Sequence, residues 1–353
     1  MIRIDEIYHN VFLPQIKDQT NCSLTWFDPF GSTKFQDICS FPKRKIGKRW
    51  LFWDQEPVHQ HTAKLFFDQF IPAYNTNGET NITVITSEYN SSNVTWLYDT
   101  YGIDNDYYFF HAWAALDWYR GYNRTSLAQP FQDRKPYNTF LCPNNIIGGE
   151  RKHRIEMLQQ LVYRNLLDRN LISFPDVCPY EGQSLELLCK KYNLECPDVR
   201  LPLMIDNGSG YAAQSHRIDL WEQANNSLIH VVTETVATGK RNHLTEKTFK
   251  PIVMQQPFII QSCGGSLEYL RRYGFRTFGE FWDESYDEAN DDIRTKEIGR
   301  LLESLHNMNQ KEKTTLQTAV NSTVEHNYNW FYSEEFEKLL WNELQTMMAK
   351  WNQ

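Results

Sequence analysis

The sequence predicts an α/β protein built from two domains, each a parallel sheet flanked by helices. Three observations predict it. The chain has 353 residues, and at roughly 150 residues per domain that length allows two cores. It is 41% hydrophobic and 23% charged, an ordinary globular balance. Short apolar or β-branched runs ended by polar residues alternate with segments of helical period, the pattern of parallel α/β layers.

The elements follow in chain order. Residues 49–53 (RWLFW) read as a buried strand stopped by Asp54-Gln55-Glu56-Pro57. Residues 82–86 (ITVIT) are a β-branched strand, followed by Ser87-Glu88-Tyr89-Asn90. A polar, Pro-containing stretch, SLAQPFQDRKPY, marks a domain boundary near residues 125–150. Residues 139–142 (TFLC) form the next strand, ended by Pro143-Asn144-Asn145. After Gly148-Gly149, residues 151–168 place Ile155, Leu158, Leu161, Val162 and Leu166 on one helical face. Residues 228–233 (LIHVVT) are a strand, 245–254 a helix that Pro251 bends or shortens, and 257–261 (PFIIQ) a strand. Residues 266–273, 294–308 and 334–351 read as helices. The expected divisions are 1–135, 136–330 and a C-terminal helix, 331–353. Phe331, Phe336, Leu339, Leu340, Leu344 and Met347 give that helix an apolar face expected to pack across both halves. Two doubly wound halves facing a cleft are the simplest arrangement. Polar residues just past the strands then line the cleft, because ligands bind at the carboxyl ends of parallel strands.

Composition excludes several classes. No run approaches the roughly 18 apolar residues of a spanning helix, so no membrane span is expected. Asp5 and Glu6 stand where a signal peptide would carry its apolar core. The seven cysteines are widely spaced with no CxxC pair, which suits free thiols in a reducing cytoplasm. A net charge of -8 speaks against a chain-wide grip on nucleic acid. Lys43, Arg44, Lys45, Lys48 and Arg49 still form one local basic run.

The densest chemistry lies in 231–257, VVTETVATGKRNHLTEKTFKPIVMQQP. A strand delivers Glu234, and a loop follows with Lys240, Arg241, Asn242 and His243. A helix opens at Thr245-Glu246-Lys247, with Lys250 three residues on from Lys247. The first turn of a helix has unpaired N–H groups and a partial positive charge. Cations gathered there make a diphosphate pocket, with Glu246 placed for ribose hydroxyls. The alternative is a solvated helix end. Arg151, Lys152, His153 and Arg154 form a second basic cluster at a helix start, unfavourable against the dipole unless an anion binds.

His243-Leu244-Thr245-Glu246-Lys247, an apolar helix, then Gln256-Pro257-Phe258-Ile259 resembles the donor-site segment of the α-1,3-fucosyltransferase family over about 30 residues. The resemblance implies a GT-B-like fold of two Rossmann-like domains. It implies an enzyme that moves a sugar from a nucleotide diphosphate sugar to an acceptor hydroxyl, by inversion. It maps nucleotide-sugar contacts onto Glu246 and Lys247, the acidic strand end onto Glu234, and the diphosphate-holding arginine onto Arg151 or Arg154. Glu234-Thr235-Val236 stands where that family has Glu-Asn-Ser. Residues 264–287, GGSLEYLRRYGFRTFGEFWDESYD, are also similar to glycosyltransferase-like proteins of large tailed phages, which implies a cytoplasmic enzyme of viral or bacterial origin.

Such a transfer needs a carboxylate to take the acceptor proton and positive groups for the leaving diphosphate. Glu56 is the first candidate base and Asp54 the second, because they end a strand and Pro57 holds Glu56 extended. Glu88 is a third. The aromatics between 98 and 122 suit sugar rings or core packing, and His111 there is a further acid/base candidate. Asp104-Asn105-Asp106 matches a short metal pattern in the wrong half, and the acidic run 283–292 reads as a solvated face. No metal and no cofactor are expected. The acceptor is a carbohydrate or a nucleic acid. Rival readings are a phage DNA glycosyltransferase acting on hydroxymethylated bases and a non-catalytic nucleotide-sugar-binding protein.

Overall fold

The computed structural model describes residues 7–12, 14, 22–27, 48–53, 57–74, 82–205 and 215–350. Among them the chain is α/β, with two four-stranded parallel sheets. It divides into two compact units. The first comprises residues 1–117, 240–243 and 337–353, the second 118–239 and 244–336. Residues 118–135, expected with the first half, therefore belong to the second unit. Buried Arg134 shows why. Its guanidinium donates to the carbonyls of Gln129 at 2.9 Å and Met254 at 2.5 Å, and burial pushes its pKa down to about 10. The C-terminal helix divides at the same boundary, Phe331 and Phe336 lying in the second unit and Leu340, Leu344 and Met347 in the first.

In the first unit, β1 (Cys22–Phe27), β2 (Lys48–Trp53), β3 (Ile82–Thr86) and β4 (Asp104–Tyr107) lie in that order. Helices α1 (Gln60–Tyr74), α2 (Ser92–Tyr101) and α3 (Phe110–Tyr119) follow β2, β3 and β4. Trp53 stacks on Phe67 at 6.3 Å, within a core that also holds Leu51, Phe66, Val84 and Leu97. Asp104-Asn105-Asp106 is the edge strand β4. There the Asn105 side chain accepts from the Thr86 hydroxyl, and Asp106 meets Lys350 at 3.6 Å.

In the second unit, β5 (Asn138–Pro143), α4 (Lys152–Tyr163), β6 (Leu171–Ser173), α5 (Leu185–Tyr192), α6 (Trp221–Asn225) and β7 (Ser227–Thr233) come first. Helix α7 (Glu246–Val253), β8 (Phe258–Gln261), α8 (Ser266–Arg272), α9 (Asp291–His306) and α10 (Gln310–Phe331) complete it. Helix α11 (Glu334–Ala349) returns to the first unit. The strand order is β6-β5-β7-β8. The chain winds outward from β5 to β6, then crosses back to β7 and β8. The order reverses between β5 and β7, which opens a crevice at their carboxyl ends.

Helix α10 has no counterpart among the expected elements. Its buried stripe contains Gln317, Thr323 and Asn327 beside Leu316, Val320, Val324 and Phe331. The polar members hide the apolar period. Gln317 donates to the carbonyls of Phe131 and Arg134, and Asn327 bonds both the N–H and the C=O of Arg276. The capping box between Asn309 and Glu312 starts the helix and was the legible signal.

Candidate functional site

Helices α4 and α7 begin at the carboxyl edge of the second sheet, after the central strands β5 and β7. Their N-termini are built differently.

Helix α7 is closed by Glu234, which is 0% exposed. One carboxylate oxygen accepts from the Thr245 N–H at 3.0 Å and the Thr248 hydroxyl at 2.6 Å. The other accepts from the Thr245 hydroxyl at 2.5 Å and the Thr235 N–H at 3.3 Å. A carboxylate has about four acceptor positions, and all four are used. Glu234 therefore ties the end of β7 to the start of α7 and has no acceptor left for a ribose. Thr245 serves as the N-cap, its hydroxyl accepting from the Lys247 N–H. Lys247, its side chain 33% exposed, lays its ammonium 2.9 Å from Glu246 and 3.3 Å from the Thr235 and Thr245 hydroxyls. Lys250 sits deeper. Burial lowers its pKa, and Glu246 opposes that shift.

Helix α4 is open. Its N-cap residue, Arg151, makes no side-chain cap hydrogen bond. In its first turn the Arg154 N–H bonds the Arg151 carbonyl at 3.0 Å, which leaves the N–H groups before it without a partner on their own helix. The loop before it is tight. Gly149 has φ +69, which favours glycine, and a Cβ on Gly148 would stand 2.6 Å from the end of the Glu181 side chain, which would have to swing aside.

The four basic residues at this start do not repel one another as four cations would. His153 is buried and neutral, its pKa pushed down to about 3 by burial and by Arg154, while its Nε2 meets the Glu234 carbonyl at 2.9 Å. The His153 N–H side of the ring needs no charge to make that bond. Arg154 is buried and donates to the carbonyls of Ile146 at 2.6 Å, Thr233 at 2.8 Å and Glu234 at 3.1 Å. Its guanidinium holds the crevice walls together through these three carbonyls, while its Nε is buried without a hydrogen-bond partner. Lys152 pairs with Glu156 at 2.8 Å. Arg151 is left half-buried, with one bond to the Gly148 carbonyl at 3.3 Å. Asn144 and Thr233, at the ends of β5 and β7, join through the Thr233 hydroxyl at 2.7 Å. Their signal was a polar residue just past each strand.

The loop residues grouped with this site in the sequence go elsewhere. Residues 240–243 belong to the first unit. Asn242 and Tyr89 exchange backbone hydrogen bonds at 2.8 and 3.0 Å, and the Lys240 carbonyl accepts from Ser92. Buried Arg241 meets Glu88 at 3.4 Å. His243 packs edge-on against His111 at 4.9 Å. These bonds tie Lys240, Arg241, Asn242 and His243 into the first unit. Asp54 and Glu56 lie outside the described residues, as do Lys43, Arg44 and Lys45.

Glu88, the third candidate base, is also structural. It accepts from the Val58 N–H at 2.9 Å and from the Ser91 hydroxyl. Burial raises its pKa, and Arg241 and Ser91 pull it back. Among the described residues no cluster of three or more His, Cys, Asp or Glu side chains has the arrangement of a metal site. In the acidic run, Asp287 caps α8 through the N–H groups of Ser266 and Leu267, each at 3.0 Å. A cavity of about 600 Å³ opens beside Asp133, Lys135, Trp221, Asn225 and Asn226. These residues precede β5 and β7, so the cavity lies at the amino edge of the sheet, away from the crevice.

No family model matches this chain, and no curated protein is significantly similar to it. No helix among the described residues is long and apolar enough to cross a membrane.

Proposed function

We propose that the protein is a glycosyltransferase of GT-B type, using a nucleotide diphosphate sugar bound at the carboxyl edge of the second sheet. The observation that carries this reading is the contrast between the two helix starts. Helix α7 already holds a carboxylate at its positive end, whereas α4 begins uncapped at the strand-order reversal, after a Gly-Gly turn and beside Arg151. An uncapped helix start at that place is where α/β sheets take phosphate groups.

In this reading Arg151 and the first-turn N–H groups of α4 hold the diphosphate. Lys247 adds a second cation, and Glu246 takes ribose hydroxyls. As the glycosidic oxygen leaves with the diphosphate, these cations and N–H groups stabilise its growing charge. The proton of the acceptor hydroxyl passes to Glu56, or to Asp54, on the sequence argument. The hydroxyl oxygen attacks the anomeric carbon from the opposite face, which inverts the configuration. The acceptor is a carbohydrate or a nucleic acid, and the step uses no metal.

Thermal melting against a panel of nucleoside diphosphates and sugar nucleotides, in excess chelator, tests the donor site. A ligand that binds only the folded state raises the midpoint as its concentration passes Kd. The expected result is a shift with one nucleobase that is reduced in Arg151→Ala and in Lys247→Ala and kept in Glu234→Gln. A panel without any shift, or a shift indifferent to both Arg151 and Lys247, overturns the site. Donor hydrolysis or transfer lost in Glu56→Gln with the thermal shift retained identifies the base.

A further inference from the structure

Away from the sheet edge, the second unit carries a pair of thiols that the proposed chemistry does not use. Cys189 lies in the last turn of α5, 2% exposed, in a core cluster with Leu185, Leu188, Ile155 and Leu158. The helix ends at Asn193 in the left-handed conformation, and the chain turns back on itself. The Leu194 N–H then bonds the Cys189 carbonyl at 2.8 Å. Gln159 on α4 holds the next residue through the Glu195 carbonyl at 2.6 Å. This return brings Cys196 alongside Cys189, and the two side chains are within hydrogen-bonding reach. Cys196 is exposed, whereas Cys189 is buried behind it. Leu194, Val199, Leu201 and Leu203 press the returning segment onto the same cluster.

We propose that Cys196 and Cys189 form a thiol–disulfide exchange site, in which a small-molecule disulfide oxidises the pair to an intramolecular bond that staples segment 194–203 to α5. Exposure sets the order of events. The Cys196 thiolate attacks one sulfur of the incoming disulfide, RSSR. A mixed disulfide forms at Cys196, and one RS⁻ leaves and takes a proton. Cys189 loses its proton and attacks the Cys196 sulfur, the Cys189–Cys196 bond forms, and the second RS⁻ departs as RSH. Two thiols of the protein are oxidised and one RSSR is reduced to two RSH. Burial and the neighbouring Cys196 push the Cys189 thiol up to about 12, which makes buried Cys189 the poorer first nucleophile and leaves the first attack to exposed Cys196.

The test uses the full chain, incubated natively with glutathione disulfide, quenched by acid, alkylated and mapped by peptide mass spectrometry. The expected product joins the Cys189 and Cys196 peptides with loss of two hydrogens and carries no glutathione. Cys189→Ser is expected to stop at a stable glutathione adduct on Cys196. Cys196→Ser, at an exposed position, is expected to leave Cys189 fully alkylatable after unfolding. A wild-type chain that accumulates the Cys196 adduct with Cys189 still free overturns the proposal. So does a chain in which neither cysteine reacts. Both outcomes are read on wild type, so the proposal does not depend on Cys189→Ser folding.

Discussion

Two buried glutamates, one in each unit, sit two residues or less past a parallel strand and reach the cap of the next helix. Glu88 follows β3 and bonds Ser91, the N-cap of α2. Glu234 follows β7 and bonds Thr245, the N-cap of α7. They differ in what satisfies the charge. Glu88 has a guanidinium partner, Arg241. The Glu234 carboxylate is surrounded by hydroxyls and backbone N–H groups. The comparison teaches that a carboxylate just past a strand is not by itself a catalytic or binding group. Here both are joints between a strand and a helix. What distinguishes the candidate site is α4, which starts at the strand-order reversal without such a joint.

The largest expected effect comes from removing a joint. Glu234→Ala leaves two N–H groups and two hydroxyls buried without their acceptor, and urea unfolding is expected to show a loss of about 4 kcal/mol. The conservative substitution separates the two joints. Glu234→Gln keeps one acceptor oxygen, and buried Arg154, which loses the nearby Glu234 charge, keeps its bonds to the carbonyls of Ile146, Thr233 and Glu234, so it should cost about 1 kcal/mol. Glu88→Gln leaves Arg241 buried opposite a neutral amide and should cost about 3 kcal/mol. Equal costs would break the distinction between them.

A third capping carboxylate sharpens the comparison through pH. Burial raises the Asp287 pKa from 3.8 to about 6. The folded state then holds a proton that the unfolded state has released, so the Asp287 contribution is full below pH 3.8 and is lost as pH rises through about 6. The difference amounts to about 3 kcal/mol. In Asp287→Asn, stability measured from pH 4 to 7 is expected to lose that downward slope relative to wild type. An unchanged slope would show that Asp287 is ionised throughout. The histidines act in the opposite direction. His230 is pushed down to about 4 by burial, so its contribution is present above pH 6.5 and is lost as pH falls toward 4. His230→Gln should flatten the acid limb.

The smallest effect is at the proposed donor site itself. Lys247 is partly exposed and its ion pair with Glu246 is an adjacent-residue contact, so Lys247→Ala should change stability by less than about 0.5 kcal/mol. Its expected signature is the lost ligand shift. A large stability loss would make Lys247 another structural joint.

Much of the fold was legible. The runs RWLFW, ITVIT, TFLC, LIHVVT and PFIIQ all fall on strands, because fully buried parallel strands read as continuous apolar segments. Strand β4 was not legible, since Asp104-Asn105-Asp106 has no apolar signal and is held in place by pairing with β3. Helix α10 was missed because tertiary bonds, not apolar area, satisfy Gln317 and Asn327. The site was half legible. Thr245-Glu246-Lys247 does open a helix at the edge of the sheet, but Arg241, four residues before it in sequence, is paired with Glu88.

The sequence by itself determined the α/β class, the positions of five of the eight described strands and the starts of α4, α7, α8 and α11, because these depend on local period and capping chemistry. Tertiary structure decided which charges remain for a ligand. Burial neutralises His153, carbonyl oxygens occupy Arg154, and Glu88 takes Arg241. A charge in the sequence is only a formal count, and its availability depends on the dipoles and charges that long-range packing places around it.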